Sequence, residues 1–219
     1  MRLNEQDLKA QKESILSAAF EVFAAVGYSA CKMEMISQKA GISRSPLYYH
    51  FKSKLELFTV VCKKYFSFYL DKMDKLYEDE PEQSIYERYY KLFLESRLPL
   101  YSNGNQLSSQ ILQGGDELSE LKRLHSEYWE ALRRKDMAAL ERAQGRGEIR
   151  PDAELSVILN YYYTVYHGLR ALKLQEEFSD YSKLEALCYA AVRMMESLYA
   201  PEGWKQDRFR TENQRVNHA

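Results

Sequence analysis

The 219-residue chain has few of the residues that punctuate or cross-link a fold: nine glycines, five prolines and three cysteines. Cys31, Cys62 and Cys188 are odd in number, far apart and form no CxxC pair. That excludes a disulfide framework and a zinc ribbon, and predicts free thiols in a reducing compartment. No apolar run approaches the roughly 18 to 20 residues of a membrane span, and the opening "MRLNEQDLKAQKES" has no apolar stretch of a secretory signal. A cytoplasmic protein without a membrane partner is expected. Also missing are a glycine-rich phosphate loop, a nucleophile motif, paired carboxylates in an apolar setting and a pair of histidines at metal-ligand spacing. Hence no enzyme, no metal and no cofactor is expected.

Alternating stretches of the kind that make strands are absent too, while apolar residues recur at three- and four-residue spacing almost throughout. The chain is therefore expected to be all-α. The spacing predicts a first helix from about Gln6 to Val26, with Ile15, Ala19, Val22, Phe23 and Val26 on one stripe, stopping at Gly27. A short second helix ends at Gly41, a third runs from Ser43 to about Phe51, and a fourth starts after Ser53 and reaches about Glu78. Beyond "YEDEPEQS" further helices are expected over about 84–98, 106–113, 117–145, 152–177 and 181–199, then a polar tail from Pro201 with too little apolar content to pack by itself. The expected division is a head over 1–53, a helical bundle over 54–200 and a tail over 201–219.

Charge is uneven along this layout. Residues 1–64 hold ten Lys/Arg against six Asp/Glu, a balance of +4 that leaves −5 for the remainder of a chain whose net charge is −1. The local surplus favours an anionic partner for the head only loosely, because phosphate binding depends on where the cations point.

Within the head, residues 33 to 51 have the helix, glycine turn and second short helix of a helix-turn-helix, whose second helix enters the major groove of DNA. Leu47 and Phe51, four apart, must face the core, which turns Ser45 and Tyr49 to the opposite face. An exposed tyrosine beside Ser45, with Arg44 in the first turn, suits base edges, thymine methyls and phosphates better than plain solvent. Pro46 is tolerated because, with Ser43 as N-cap, it falls at the third helical position, where its missing N–H has no intrahelical carbonyl to meet. Its ring either touches a thymine methyl or excludes water. "SKLE" at 53–56 reads as a capping box that fixes the fourth helix and sets Lys54 in its first turn, a phosphate clamp, with Tyr48, Lys52 and Lys32 near the backbone as well.

Helix-turn-helix spacing alone fits any tight three-helix domain, but the wording here is more specific. The stretch "ILSAAFEVFAAVGYSACKMEMISQK" followed by "AGISRSPLYYHFKSKLELF" resembles the N-terminal domain of the TetR (tetracycline repressor) family of bacterial transcription regulators, over about residues 12 to 60. Ala40-Gly41-Ile42-Ser43, Leu47-Tyr48-x-His50-Phe51 and Ser53-Lys54 match its pattern almost position by position. Cys31 and Lys32 stand where small hydroxyl residues are common, and Ser37 where alanine is usual. The resemblance implies that Arg44, Pro46 and Tyr49 face bases, while Tyr48, His50 and Lys54 touch or orient the DNA backbone. For His50 packing between the third and fourth helices is the other reading. It also implies a double-stranded DNA operator, a small-molecule effector and a dimer.

The remaining chain must be read from its residues. The last two helices carry apolar stripes (Leu155, Ile158, Leu159, Tyr162, Tyr166 and Leu169, then Leu184, Leu187, Ala191, Met194, Met195 and Leu198) that suit a homodimer interface or the core of one subunit. Eighteen tyrosines exceed what a plain helical core uses, since each buried hydroxyl needs a partner. Candidates to line an effector pocket are Tyr65, Phe66 and Tyr69; Tyr89, Tyr90 and Phe93; His125, Tyr128 and Trp129; and Tyr162, Tyr166 and His167. Such a set suits a flat or aromatic molecule. The expectation is thus a ligand-responsive DNA-binding regulator, a repressor in function; the alternatives are a DNA-binding structural or interaction protein without effector and a helical-bundle enzyme.

Overall fold

The structure, a computed structural model, describes residues 4–78, 83–95, 99–172 and 181–204. Within these the chain is helical: α1 (Glu5–Ala30), α2 (Met33–Lys39), α3 (Arg44–His50), α4 (Lys54–Glu78), α5 (Ile85–Glu95), α6 (Pro99–Gln113), a single 3₁₀ turn (Asp116–Leu118), α7 (Ser119–Gly145), α8 (Leu155–Leu172) and α9 (Tyr181–Tyr199). No strand occurs among the described residues. The expected extensions of the fifth helix to Leu98 and of the eighth to Glu177 end outside the described residues, as does the tail from 205.

Two compact units divide the chain, Met1–Asp71 with Pro99–Glu130, and Lys72–Leu98 with Ala131–Ala219; of the three boundaries two fall inside a helix, α4 and α7, and the third at the start of α6. In the first unit α1 packs on α2 and α6, and α2 on α3. Ile15, Phe23, Ile36, Leu47, Phe51 and Phe58 form its fully buried centre, each side chain worth about 1.5–3 kcal/mol of transfer from water. Asn4 opens α1 with a reciprocal capping box, accepting from the Asp7 N–H at 2.8 Å while Asp7 accepts from its own N–H at 3.2 Å.

The helix α1 is broken where the sequence predicts its end. Gly27 takes φ +85°, a conformation that side-chain-bearing residues rarely adopt, and one more helical turn follows to Ala30. Gly41 at φ +67° likewise makes the turn between α2 and α3, where Ile42 N–H reaches the Ser37 carbonyl at 3.0 Å. Ser37 itself is buried and bonds the Glu34 carbonyl with its hydroxyl at 2.9 Å, which lets a polar residue stand inside the head.

In the second unit α5 packs on α9 and α8, and α8 on α9, around Tyr86, Tyr89, Phe93, Leu159, Tyr162 and Met195. The start of α5 is heavily capped. Ser84 and Glu87 bond each other's backbone N–H groups at 2.7 and 3.2 Å, and Glu148 accepts from the Ile85 N–H at 2.7 Å. After α9, Trp204 lies edge-on to Tyr86 at 6.3 Å, so the first residues of the expected tail do pack. No helix among the described residues is long and apolar enough to cross a membrane.

Candidate nucleic-acid interface and aromatic clusters

The seven residues of α3 sort by helical period as expected. Leu47 and Phe51 are fully buried, which anchors the helix and leaves Arg44, Ser45, Tyr48 and Tyr49 exposed. Tyr49 is 71% exposed, the most exposed large apolar side chain among the described residues, and its ring is held edge-on to His50 at 5.2 Å. Pro46 is half-buried at the third helical position, after Ser43 in extended backbone; the Ser43 side chain makes no cap hydrogen bond. Arg44 is poised by an ion pair to Glu34 of α2 at 3.2 Å, an exposed contact of little energy that aims the guanidinium. Lys32 is exposed at the N-cap of α2.

His50 and Lys54 face inward. The His50 ring meets Gln11 Oε1 of α1 at 3.1 Å, and burial, then the nearby Lys12, holds its pKa below the usual imidazole range. It is thus a packed histidine, seated against α1 and not between the third and fourth helices. The Lys54 ammonium donates to the carbonyls of Tyr28, Ser29 and Cys31 at 2.8, 3.3 and 3.1 Å and lies 4.5 Å from the centre of the Tyr28 ring. An ammonium has three donors, so a phosphate contact from Lys54 has to break bonds that tie α4 to the end of α1. The capping box at Ser53 is offset by one residue: Ser53 Oγ accepts from the Glu56 N–H at 3.1 Å, but the Glu56 carboxylate reaches the N–H of Lys52, at 2.7 Å, in place of that of Ser53. The Cys31 thiol is buried, and that burial pushes its pKa up.

Residues 15–61, which contain this helix-turn-helix, match the family of bacterial regulatory proteins of the tetR type. This part of the chain is a TetR-family domain. It is 32% identical over 88 residues to the HTH-type transcriptional regulator RutR of Escherichia coli K12, a match covering 40% of this chain and 42% of RutR. The chain therefore spans less than half the length of this curated relative. Among solved structures, the TetR-family regulator of Cytophaga hutchinsonii superposes with a TM-score of 0.71 at 10% identity, over 92% of this chain and 100% of that one. The triclosan complex of SmeT, from Stenotrophomonas maltophilia, does so with 0.65 at 20% identity, over 89% and 93%. At these identities the likeness is one of fold.

Each unit holds part of the aromatic candidates. In the first unit Phe66 stacks on Tyr128 at 4.4 Å, Tyr65 and Tyr69 lie 6.2 Å apart, and His125 accepts from the Trp129 indole N–H at 2.8 Å. Burial holds the His125 pKa below the usual range. In the second unit Tyr89 stacks on Tyr162 at 4.2 Å, Tyr162 on Phe93 at 5.4 Å, and Tyr166 lies 5.9 Å from Tyr162, while Tyr90 reaches Glu185 at 3.2 Å and His167 is exposed next to Tyr166. An open cleft of about 260 Å³ in the first unit is bordered by Leu16, Phe20, Val61, Tyr65 and Phe68 and bridged by the Lys64–Glu13 pair; of the aromatic candidates it includes Tyr65 alone. Among the described residues no group of three or more His, Cys, Asp or Glu is placed to hold a metal.

Two residues of this architecture went unread in the sequence. Asp136 is 1% exposed in α7 and accepts from the hydroxyls of Tyr77 and Tyr163. Its position among Leu132, Ala139, Leu140 and Ala143, all buried, puts an acid on the apolar stripe, and that signal was available. Gln110 of α6 clasps the break in α1: its Oε1 accepts from the Tyr28 N–H at 3.0 Å and its Nε2 donates to the Phe23 carbonyl at 2.7 Å. No local pattern marks that residue, because its partners are backbone groups more than 80 positions away.

Proposed function

We propose that this chain is a ligand-responsive transcriptional repressor that binds a palindromic operator as a homodimer and releases it when a small, aromatic effector enters the bundle. The observation that carries the DNA half is the outward face of α3, where Tyr49 stands 71% exposed, one turn after the exposed Ser45, on a helix anchored by two fully buried side chains. A large exposed ring on a rigid short helix is costly in water and useful in a groove. In this reading Arg44, Ser45, Pro46 and Tyr49 meet bases, Lys32 and Tyr48 meet phosphates, His50 holds α3 to α1, and Lys54 sets the start of α4, whose N-terminal N–H groups face phosphate. The head is residues 1–53 and the effector and dimer domain is 54–200.

Dimerisation is supported by the outer faces of the last two helices. Val157, Met194 and Leu198 are 46, 55 and 49% exposed, and Ala186 and Ala190 line up with Met194 on α9. Small residues beside exposed apolar ones allow close helix approach in a two-fold interface, and two heads are needed to read two half-sites. The effector acts by its different affinity for two arrangements of the bundle, with α4 and the Gln110 clasp as the links to the head.

The test is selection of bound fragments from the source genome by the purified protein across a salt series. A short palindrome whose affinity falls steeply with salt is expected. Arg44→Ala and Tyr49→Ala should each lower operator affinity about 5- to 100-fold, the 1–3 kcal/mol of a lost base contact, with little change on random DNA. Unspecific recovery, or equal losses on random DNA, would overturn the proposal.

A further inference from the structure

The second unit buries an acid that has no ion-pair partner among the described residues. Asp136, on the inner side of α7, has one neutral donor on each oxygen, Tyr77 Oη on Oδ1 at 2.6 Å and Tyr163 Oη on Oδ2 at 2.5 Å. Arg133, one turn earlier, acts on it from a distance and turns its guanidinium to Asn160 at 3.2 Å. Tyr163 lies 5.4 Å from Tyr162, which stacks on the fully buried Tyr89, and the Tyr89 hydroxyl oxygen has no hydrogen-bond partner. The charge of Asp136 is one of the influences that raise the pKa of that phenol, after burial itself. The Tyr89 ring is at the same time stacked on Tyr162, which is stacked on Phe93.

A buried carboxylate offered only neutral donors and a buried phenol offered none are two unfavourable features of one aromatic cluster. Packing requires neither, since an asparagine and a phenylalanine fill the same space. One kind of guest answers both. A primary ammonium carries the opposite charge and three N–H donors, enough to meet a carboxylate oxygen and the lone pairs of Tyr89 Oη together, and the surrounding ring faces favour a cation. The buried stack of Tyr89, Tyr162 and Phe93 makes the surroundings aromatic and apolar, which suits a flat apolar body behind the ammonium. A carboxylate or phosphate guest would be repelled, and an alcohol would satisfy hydrogen bonds without the charge.

We propose that the Asp136–Tyr89 cluster is the recognition point for an organic primary amine, bound as its ammonium and carried on a flat apolar body. The ammonium takes the place of one tyrosine hydroxyl on Asp136, and the displaced hydroxyl belongs to α4 (Tyr77) or α8 (Tyr163), so occupancy moves a helix. The effect on DNA rests on the regulatory reading above; the binding does not.

The experiment is calorimetric titration of the full-length protein with benzylamine, 2-phenylethylamine, tryptamine and hexylamine, each against its alcohol and carboxylate counterpart. At least one amine is expected to bind at least about tenfold more tightly than both counterparts, the 1.4 kcal/mol or more of a charge-assisted contact. Asp136→Asn, which keeps the shape and can still bond both hydroxyls, should lose that preference, and Tyr89→Phe should weaken the amine with its fold intact by circular dichroism. Amines that bind no better than their counterparts, or equally well to Asp136→Asn, overturn the proposal. Operator retention measured in parallel separates the two ideas. Release by alcohols or carboxylates alone leaves an effector-responsive regulator and removes the amine site, whereas amine binding by a protein with no specific DNA site does the reverse.

Discussion

Burial raises the Asp136 carboxyl from 3.8 to about 6, against the hydroxyls of Tyr163 and Tyr77 and the charge of Arg133, all of which favour its ionised form. The folded chain therefore keeps this proton to a higher pH than the unfolded chain does. The stability it contributes is complete below about pH 4 and is lost as pH rises to about 6, a change on the order of 3 kcal/mol for two pKa units. Asp136→Asn removes the titration, so the urea midpoint of the native protein should fall relative to that of the variant between pH 4 and 6.5 and run parallel to it above. Parallel curves throughout would mean that the acid is not protonated in the fold. At this scale the sequence is most legible where one helix decides the outcome. Leu47 and Phe51 point inward and Tyr49 outward by spacing alone. It is least legible where a side chain bonds distant backbone, as Lys54 does with the carbonyls of Tyr28 and Cys31: a lysine in a first turn looks free when its acceptors carry no side-chain signature.

Among the elements, the helices of the head end where glycine permits, and those ends are readable in the sequence. The exception is α6, expected from residue 106 and found from Pro99. Its first half, rich in serine, asparagine and glycine, has poor intrinsic propensity, and packing on α1 overrides that preference. Gly104 shows how closely this half is fitted, since a Cβ there would lie 1.8 Å from the Tyr65 ring. Gly104→Ala should thus lower stability by about 1–3 kcal/mol through overpacking. Gly145→Ala, at the end of α7 with nothing within 4 Å of its Cβ, is the control, expected to be neutral or stabilising by up to about 1 kcal/mol. Chemical denaturation of the two variants checks both, and a tolerant Gly104 would mean that Tyr65 is free to swing away. The aromatic candidates were legible as residue types and not as a site, because helical periodicity does not say which neighbour a stripe meets. Within each unit candidates meet one another, Phe66 with Tyr128 in the first and Tyr89 with Tyr162 in the second.

For the whole molecule the proposed function depends on a second copy. Met194→Glu together with Ala190→Glu places like charges across the two-fold interface proposed for α9 while touching only exposed positions. Light scattering should report half the mass of the native protein, with circular dichroism unchanged. Affinity for a palindromic operator should fall at least about 100-fold, a loss near 2.7 kcal/mol, and a single half-site should be bound about as before. A dimer that survives both charges assigns the interface elsewhere and leaves Val157, Met194 and Leu198 as a face for another partner.

The clasp of Gln110 on the broken end of α1 gives the molecule a natural probe. In a continuous helix an amide proton such as that of Tyr28 bonds within its own helix, but here its acceptor is a side chain carried by α6. Its chemical shift and its exchange with solvent therefore follow how α6 is seated and not how α1 is folded. One nitrogen–proton resonance, followed while candidate compounds are added in the absence of DNA, reads whether a ligand in the bundle has been felt at the head.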